Sequence, residues 1–397
     1  MTLRRQLSIV ALVYVIEGFP MGLFQGVFGV YLADRGVGLA AGGALGWLGL
    51  AWSIKALWSP LVERFGSRQA WIAGPLLAMA GALAAIAWLP SNPVGFALWS
   101  ALAVFCLASA TQDIAIDAYT IGLVDRGREG PANAVRMACY RVGFVLAGSG
   151  LPLVAGGFGW PAAFLVGSAA SAVFAGAALA TPRVPLPPPA ERRPLHALAD
   201  WARRPGLFAV LGFVLLYRVG DRAMGPMIPF FWIDRGFSVA DFAVYNNALG
   251  AIATVLGAFA GGALVARRGI LASLWVTGAA AVGSNLLYAA VALWPEAGRL
   301  GVYAAGVIES FSSGAVGAAF ISYLMRICEK RHAAVQYASL TGLYALAGSL
   351  LAGASGWITE LTGFAGYFAL TAGFAVPAFV LLPRAATWMR PADAPED

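Results

Sequence analysis

The sequence predicts an all-α membrane protein: twelve transmembrane helices in two pseudo-symmetric six-helix halves, with both termini in the cytoplasm. Three observations predict this class. The 397 residues are 60% hydrophobic and only 11% charged, with a mean hydropathy of +0.76, a composition that lipid rather than water must solvate. Apolar runs of membrane-spanning length recur twelve times between polar connections. Short motifs of the first half return about 200 residues later.

A helix needs roughly 20 apolar residues to cross the hydrocarbon core. Such runs fall near 7–31, 41–61, 71–90, 93–118, 132–156, 160–180, 207–232, 240–265, 271–294, 299–325, 334–356 and 363–383. Arg4-Arg5 leads into an apolar segment that passes Glu17 and reaches Tyr31 without a small-residue cleavage site. That segment is expected to stay as a helix, not to be removed as a signal peptide. Short connections at Ser91-Asn92-Pro93 and Gly157 to Trp160 fit tight helical hairpins. The stretch from Thr181 to Pro205 is longer, with seven prolines and five arginines, and divides six spans from six. The expected organisation is a bundle over 1–180, a cytoplasmic linker over 181–206, a second bundle over 207–383 and a cytoplasmic tail over 384–397.

Basic residues set the orientation. With the N-terminus inside, Arg4, Arg5, Arg64, Arg68, Arg126, Arg128, the linker arginines, Arg267, Arg268, Arg326, Lys330, Arg331, Arg384 and Arg390 are cytoplasmic, while only Arg35, Arg235 and Arg299 face out. The pI of about 9.5 then reports topology and contact with anionic lipid, not nucleic acid. Cys106, Cys139 and Cys328 fall in or at the ends of spans, with the spacing of neither a metal site nor a disulfide framework. They are expected to pack. His196 and His332, the only histidines, lie in polar connections, so proton chemistry inside the membrane falls to carboxylates.

The halves resemble each other in detail. Tyr14 to Gly22 reads against Tyr217 to Gly225, Ala33-Asp34-Arg35-Gly36 against Ile233-Asp234-Arg235-Gly236, and Leu61-Val62-Glu63-Arg64 against Leu264-Val265-Ala266-Arg267. Such a 6+6 duplication is the kind that builds alternating-access transporters, with substrate near the midplane between halves. Pro60 to Arg68 also resembles the loop signature of the major facilitator superfamily, a short acidic-basic-glycine-basic turn after the second helix. Glu63 stands where that family usually has Asp. The match implies a gating role for Glu63, Arg64 and Arg68.

Ionisable residues inside spans are costly, at roughly 2.5 to 3.5 kcal/mol each on insertion scales, and call for an explanation. Here they are Glu17, Lys55, Asp113, Asp117, Arg136, Arg141, Arg218, Asp221, Arg222 and Glu309. Arg136 is near a cytoplasmic helix end and is expected to snorkel there. Asp117, one turn from Asp113 on the same helical face, is expected to be a gate latch or a structural contact. Glu17, Asp113, Asp221 and Glu309 fall one each on the first, fourth, seventh and tenth spans, the helices that line the central cavity in the superfamily. Either Asp113 or Asp221 is expected to take up a coupling proton, with Glu17 and Glu309 as further candidates. Lys55, Arg141, Arg218 and Arg222 are expected to meet an anionic substrate group. Tyr14, Tyr140, Tyr217, Asn246, Asn285 and Gln336 offer stacking faces and hydrogen bonds of the sort sugars and amides need.

Several blocks resemble the AmpG family of permeases: Gly18-Phe19-Pro20, Ile54 to Leu61, Thr111 to Asp117, Tyr140-Arg141-Val142-Gly143, Tyr217 to Asp221, Ser284 to Ala289, and Glu309 with Gln336-Tyr337-Ala338. The likeness runs in order through nearly the whole chain. It implies proton-driven import of anhydro-muropeptides across the bacterial inner membrane for peptidoglycan recycling. It also implies site roles for Lys55, Gln112, Asp113, Arg141, Arg218 and Asp221. Asn246-Asn247 stands where that family often has an Asn-Lys pair, which removes a cation. The Ile54 to Leu61 and Gln112-Asp113 blocks are similar as well to siderophore importers of the RhtX/FptX type and, more distantly, to acetyl-CoA transporters. A non-transporting receptor on the same fold is the reading from another class, and the buried carboxylates argue against it. No nucleophile-base arrangement or metal cluster suggests an enzyme. The expected cofactor is none, with the proton gradient as energy source, and the expected partners are a small glycopeptide substrate and membrane lipid, for a monomeric chain.

Overall fold

The computed structural model describes residues 1–89, 95–124, 128–184, 205–328 and 333–389. Most of the expected linker and tail, with His196 and His332, lies outside the described residues, as do the side chains of Glu63 and Arg64. Among the described residues all regular structure is helical. Eight runs are long and apolar enough to cross a membrane: Leu3–Asp34, Arg68–Ala87, Phe96–Leu123, Val135–Phe158, Trp160–Leu179, Val239–Leu293, Pro295–Ile327 and Ser339–Trp388. Large apolar side chains such as Phe96, Phe208 and Leu361 are 90%, 89% and 87% exposed, as befits a surface that lipid covers.

Where the helices break decides where the charged residues sit. The runs Val239–Leu293 and Ser339–Trp388 hold 55 and 50 residues, far more than the roughly 20 that one crossing needs. Each is interrupted by a glycine at positive φ, Gly269 at 78° and Gly363 at 69°, a conformation open to glycine at no steric cost. Between Leu39–Leu48 and Ser59–Arg64 the chain narrows to the short helix Leu50–Ile54 and a 3₁₀ turn, Lys55–Leu57. Pro60 lies in the first turn of the last piece, where a helix has no partner for the N–H that proline lacks. Lys55 heads the 3₁₀ turn. Leu207–Leu216, Val219–Met224 and Met227–Asp234 form a second broken line. Arg218, at φ −116° and ψ 7°, occupies the first of its breaks.

The chain forms two compact units. The first comprises Met1–Gly38, Leu48–Ala190 and Pro229–Ala248, and the second Leu39–Trp47, Glu191–Ile228 and Leu249–Asp397. In the first unit, Leu3–Gly26 lies so close to Glu129–Gly148 that a Cβ on Gly18, Gly22 or Gly143 would overlap the carbonyls of Tyr140, Phe144 and Val15 in turn. Close backbone approach through small residues is the usual means of joining helices in lipid, where no hydrophobic drive acts between them. Asn247, on a π-helical turn over Phe242–Ala248, donates from Nδ2 to the carbonyls of Gly26 and Gly148. Both carbonyls sit at breaks in their own helices, where the ladder leaves acceptors unused.

The second unit repeats the device. Gly257, Gly261 and Gly314 would meet the carbonyls of Phe311, Ala315 and Thr254 if they carried a Cβ. Gly43 and Gly46 of Leu39–Leu48 press on Gly356 and Ala352, and the Ala40 N–H donates to Glu360 Oε1 at 2.9 Å. Phe213, Tyr217, Phe320 and Tyr323 form the aromatic centre of its core. If these seams hold the bundle, Gly22→Val should lower stability in detergent thermal unfolding by about 1 to 3 kcal/mol, the usual cost of overpacking. Gly81→Ala, whose new Cβ meets nothing within 4 Å, should be neutral or slightly stabilising. Equal losses for the two would contradict the packing argument.

Candidate functional site

The glycine seam brings the first and fifth expected spans into register, and the 3₁₀ turn adds Lys55. Lys55 Nζ forms an ion pair with Asp113 Oδ2. One turn along the same helix, Asp117 Oδ1 accepts from Tyr14 OH at 3.1 Å and lies 3.0 Å from Arg136 Nη2. The Arg136 guanidinium caps the Tyr14 ring at 4.7 Å, a cation–π contact that adds to the ion pair. Glu17 is buried beside them, within hydrogen-bonding reach of Asp113. The two aspartates therefore serve different partners.

Arg136 is held by Asp117 and the Tyr14 ring, a carboxylate and an aromatic face that both lie within its reach. Asp117 has a structural tie of this kind, while its expected partners Glu63 and Arg64 lie outside the described side chains. Arg68 is buried and donates from Nη1 to the Ala118 carbonyl, linking the loop to the helix Phe96–Leu123. Arg141 is not drawn into the cluster. Its guanidinium stacks over Phe144 at 5.0 Å, and neighbouring Tyr140 is half-buried.

The second unit holds a different arrangement. Arg218 Nε lies 3.7 Å from Asp221 Oδ2, and its Nη2 donates to Ser313 Oγ at 3.2 Å. Arg222 Nε donates to Tyr344 OH at 2.7 Å. Both guanidiniums lie over the Tyr344 ring, Arg218 at 5.8 Å and Arg222 at 4.9 Å. Gly317 and Gly348 leave the room: a Cβ there would come to 3.4 Å from the Arg218 guanidinium and 3.0 Å from the Arg222 stem. Glu309 interacts with Asp221 and Arg218 and lies 3.3 Å from the Ser310 hydroxyl. Paired guanidiniums on a buried aromatic suit a planar anion such as a carboxylate.

Several other candidate residues are built into the packing of the helices. Tyr217 is buried among aromatic rings and donates to the Leu274 carbonyl at 2.6 Å. Gln112 donates to the Ile16 carbonyl at 3.3 Å, and Asn285 to Thr371 Oγ1 at 3.2 Å. Gln336 is fully buried. Asn246 donates to Asn247 Oδ1 at 3.3 Å, so Asn247 with its two carbonyls is the member of that pair that holds helices together. Tyr344 and Ser313 were not singled out from the sequence. Tyr344 lies two turns beyond Tyr337 on one helix, and that spacing was the available signal.

An all-helical chain with a lipid-facing surface, and with charges held in pairs inside its apolar helices, has the architecture of a membrane transporter. The chain belongs to the Major Facilitator Superfamily, whose model matches residues 10–352. It is 29% identical over 381 residues to the anhydromuropeptide permease of Escherichia coli K12, across 92% of this chain and 77% of that protein. It is 26% identical over 392 residues to the putative transporter AmpG 4 of Rickettsia conorii, across 93% of each. A solved bacterial homolog of the human lysosomal transporter Spinster, inward-facing and unoccupied, matches with a TM-score of 0.77 at 17% identity over 99% of both chains. The nucleoside transporter NupG matches with a TM-score of 0.72 at 17% identity, over 98% of this chain and 100% of that one. These two likenesses concern the fold. The motif resemblance to AmpG and the similarity to AmpG proteins agree, and the chain is a transporter, not an enzyme.

Lys55 and Asp113 offer a direct test of the pairing. Removing one partner of a buried ion pair leaves a charge alone and costs about 3 to 5 kcal/mol when burial is complete. Side-chain exposures of 30% and 18% reduce that to about 1 to 3 kcal/mol by solvent screening. Lys55→Met should therefore destabilise the protein more than Lys55→Met with Asp113→Asn, measured by thermal unfolding in detergent. A double variant no better than the single one would show that the two charges are not partners.

Proposed function

We propose that this transporter imports anhydro-muropeptides across the bacterial inner membrane, coupled to inward proton movement. The observation that carries the reading is the pair of unlike charge clusters inside apolar helices: carboxylates with Lys55 in the first unit, and Arg218 and Arg222 on Tyr344 in the second. A muropeptide carries peptide carboxylates for cations to hold and sugar hydroxyls and amides for polar side chains. Buried carboxylates supply places for a proton where no histidine is available. The name of the similar protein from Escherichia coli supports the substrate class.

The reading includes twelve spans with both termini cytoplasmic. Glycine breaks at Gly269 and Gly363, and the broken lines over 39–64 and 207–234, support that count. No cofactor is required beyond the proton gradient, and the chain works as a monomer in lipid. Uptake of labelled anhydromuropeptide into proteoliposomes should rise several-fold when the outside is made acidic relative to the lumen, and a ferric siderophore should not be taken up. Uptake of the siderophore alone, or muropeptide uptake indifferent to the gradient, would contradict the proposal.

A further inference from the structure

Glu17 stands apart from the other acids of its cluster in the first unit. It is 9% exposed, and its Oε2 has no hydrogen-bond partner among the described residues. Charged groups face it from three neighbouring elements: Asp113 and Asp117 from Phe96–Leu123, Arg136 from Glu129–Gly148, and Lys55 from the 3₁₀ turn, while Trp160–Leu179, which also packs on its helix, brings none. Tyr14, on its own helix, is the remaining titratable neighbour. Both cations already have a partner, Lys55 in Asp113 and Arg136 in Asp117. Three carboxylates thus face two cations, and Glu17 is the acid without one.

A lone carboxylate held away from water is penalised by several kcal/mol, whereas a carboxylic acid is not and has an O–H to donate. Asp113 is the acceptor within reach. We propose that Glu17 carries the coupling proton, and that its charge state decides whether Lys55 is available to an anionic substrate. The inference rests on the proton-coupled reading above. With the proton in place the cluster is neutral, two acids against two bases, and an entering anion can share Lys55 with Asp113. When the Glu17 O–H gives its proton to water, the carboxylate left behind competes for Lys55 and repels the anion at the same point. Substrate release follows proton release. The step is one proton dissociation, with no bond made to the substrate.

Two measurements on the full chain test this. In infrared spectra of the substrate-free protein, the wild type should show a titrating protonated-carboxyl band that shifts in D2O, and Glu17→Gln should lose it. In proteoliposomes with anhydromuropeptide, Glu17→Gln should lose accumulation driven by an imposed pH gradient, and the exchange it retains should no longer depend on pH. Glu17→Asp keeps an ionisable group, so it should still accumulate substrate, with a displaced pH profile. An undiminished band in Glu17→Gln, wild-type accumulation by that variant, or an unchanged profile in Glu17→Asp would overturn the assignment. Loss of the band in a protein that takes up no anhydromuropeptide would uphold the role of Glu17 while removing the substrate reading.

Discussion

An ion pair in an apolar medium holds only while both partners stay in place, and the charge arrangement of the first unit depends on the pair Lys55 and Asp113. Either charge left alone there is costly. The pair fixes the 3₁₀ turn against the helix Phe96–Leu123, and so fixes what surrounds Glu17. It is also weak in a useful sense. On the proposed function, a substrate anion would offer Lys55 an alternative partner of the same charge as Asp113, so that the pair could be exchanged without burying an unpaired ion.

Packing makes these charges meet. Helices in lipid approach closely only where side chains are small, and Gly18, Gly22 and Gly143 let Leu3–Gly26 and Glu129–Gly148 touch along their backbones. With larger residues there, Arg136 would sit too far from Tyr14 and Asp117. In the second unit Gly317 and Gly348 do the same for the arginines, leaving the space that their side chains fill beside Tyr344. Local chain breaks complete the arrangement. The 3₁₀ turn presents Lys55, and the break at Arg218 separates it from a regular helical ladder.

Much of this was legible in the sequence, because composition and run length report the solvent a chain needs, and motif blocks report the family. The inventory of charges inside apolar runs could be read there too. The pairing could not. Lys55 and Asp113 lie 58 residues apart, and nothing in their spacing distinguishes that match from Lys55 with Asp117. The place of Arg136 near a helix end is visible in the sequence, while the Tyr14 ring beside it is not. Tyr217 and Tyr14 occupy corresponding places in the repeat, yet one donates to a backbone carbonyl in an aromatic core and the other to a carboxylate. Repeated sequence sets similar backbone positions, and the neighbours brought by packing then decide what each side chain does.

The central claim is that the buried cations hold the anionic groups of the transported molecule. A structure of the protein determined with anhydromuropeptide bound tests it most directly. The account predicts a substrate carboxylate in ion-pair contact with Arg218 and Arg222 beside Tyr344, or with Lys55. A bound muropeptide whose carboxylates all lie away from those three cations would contradict it.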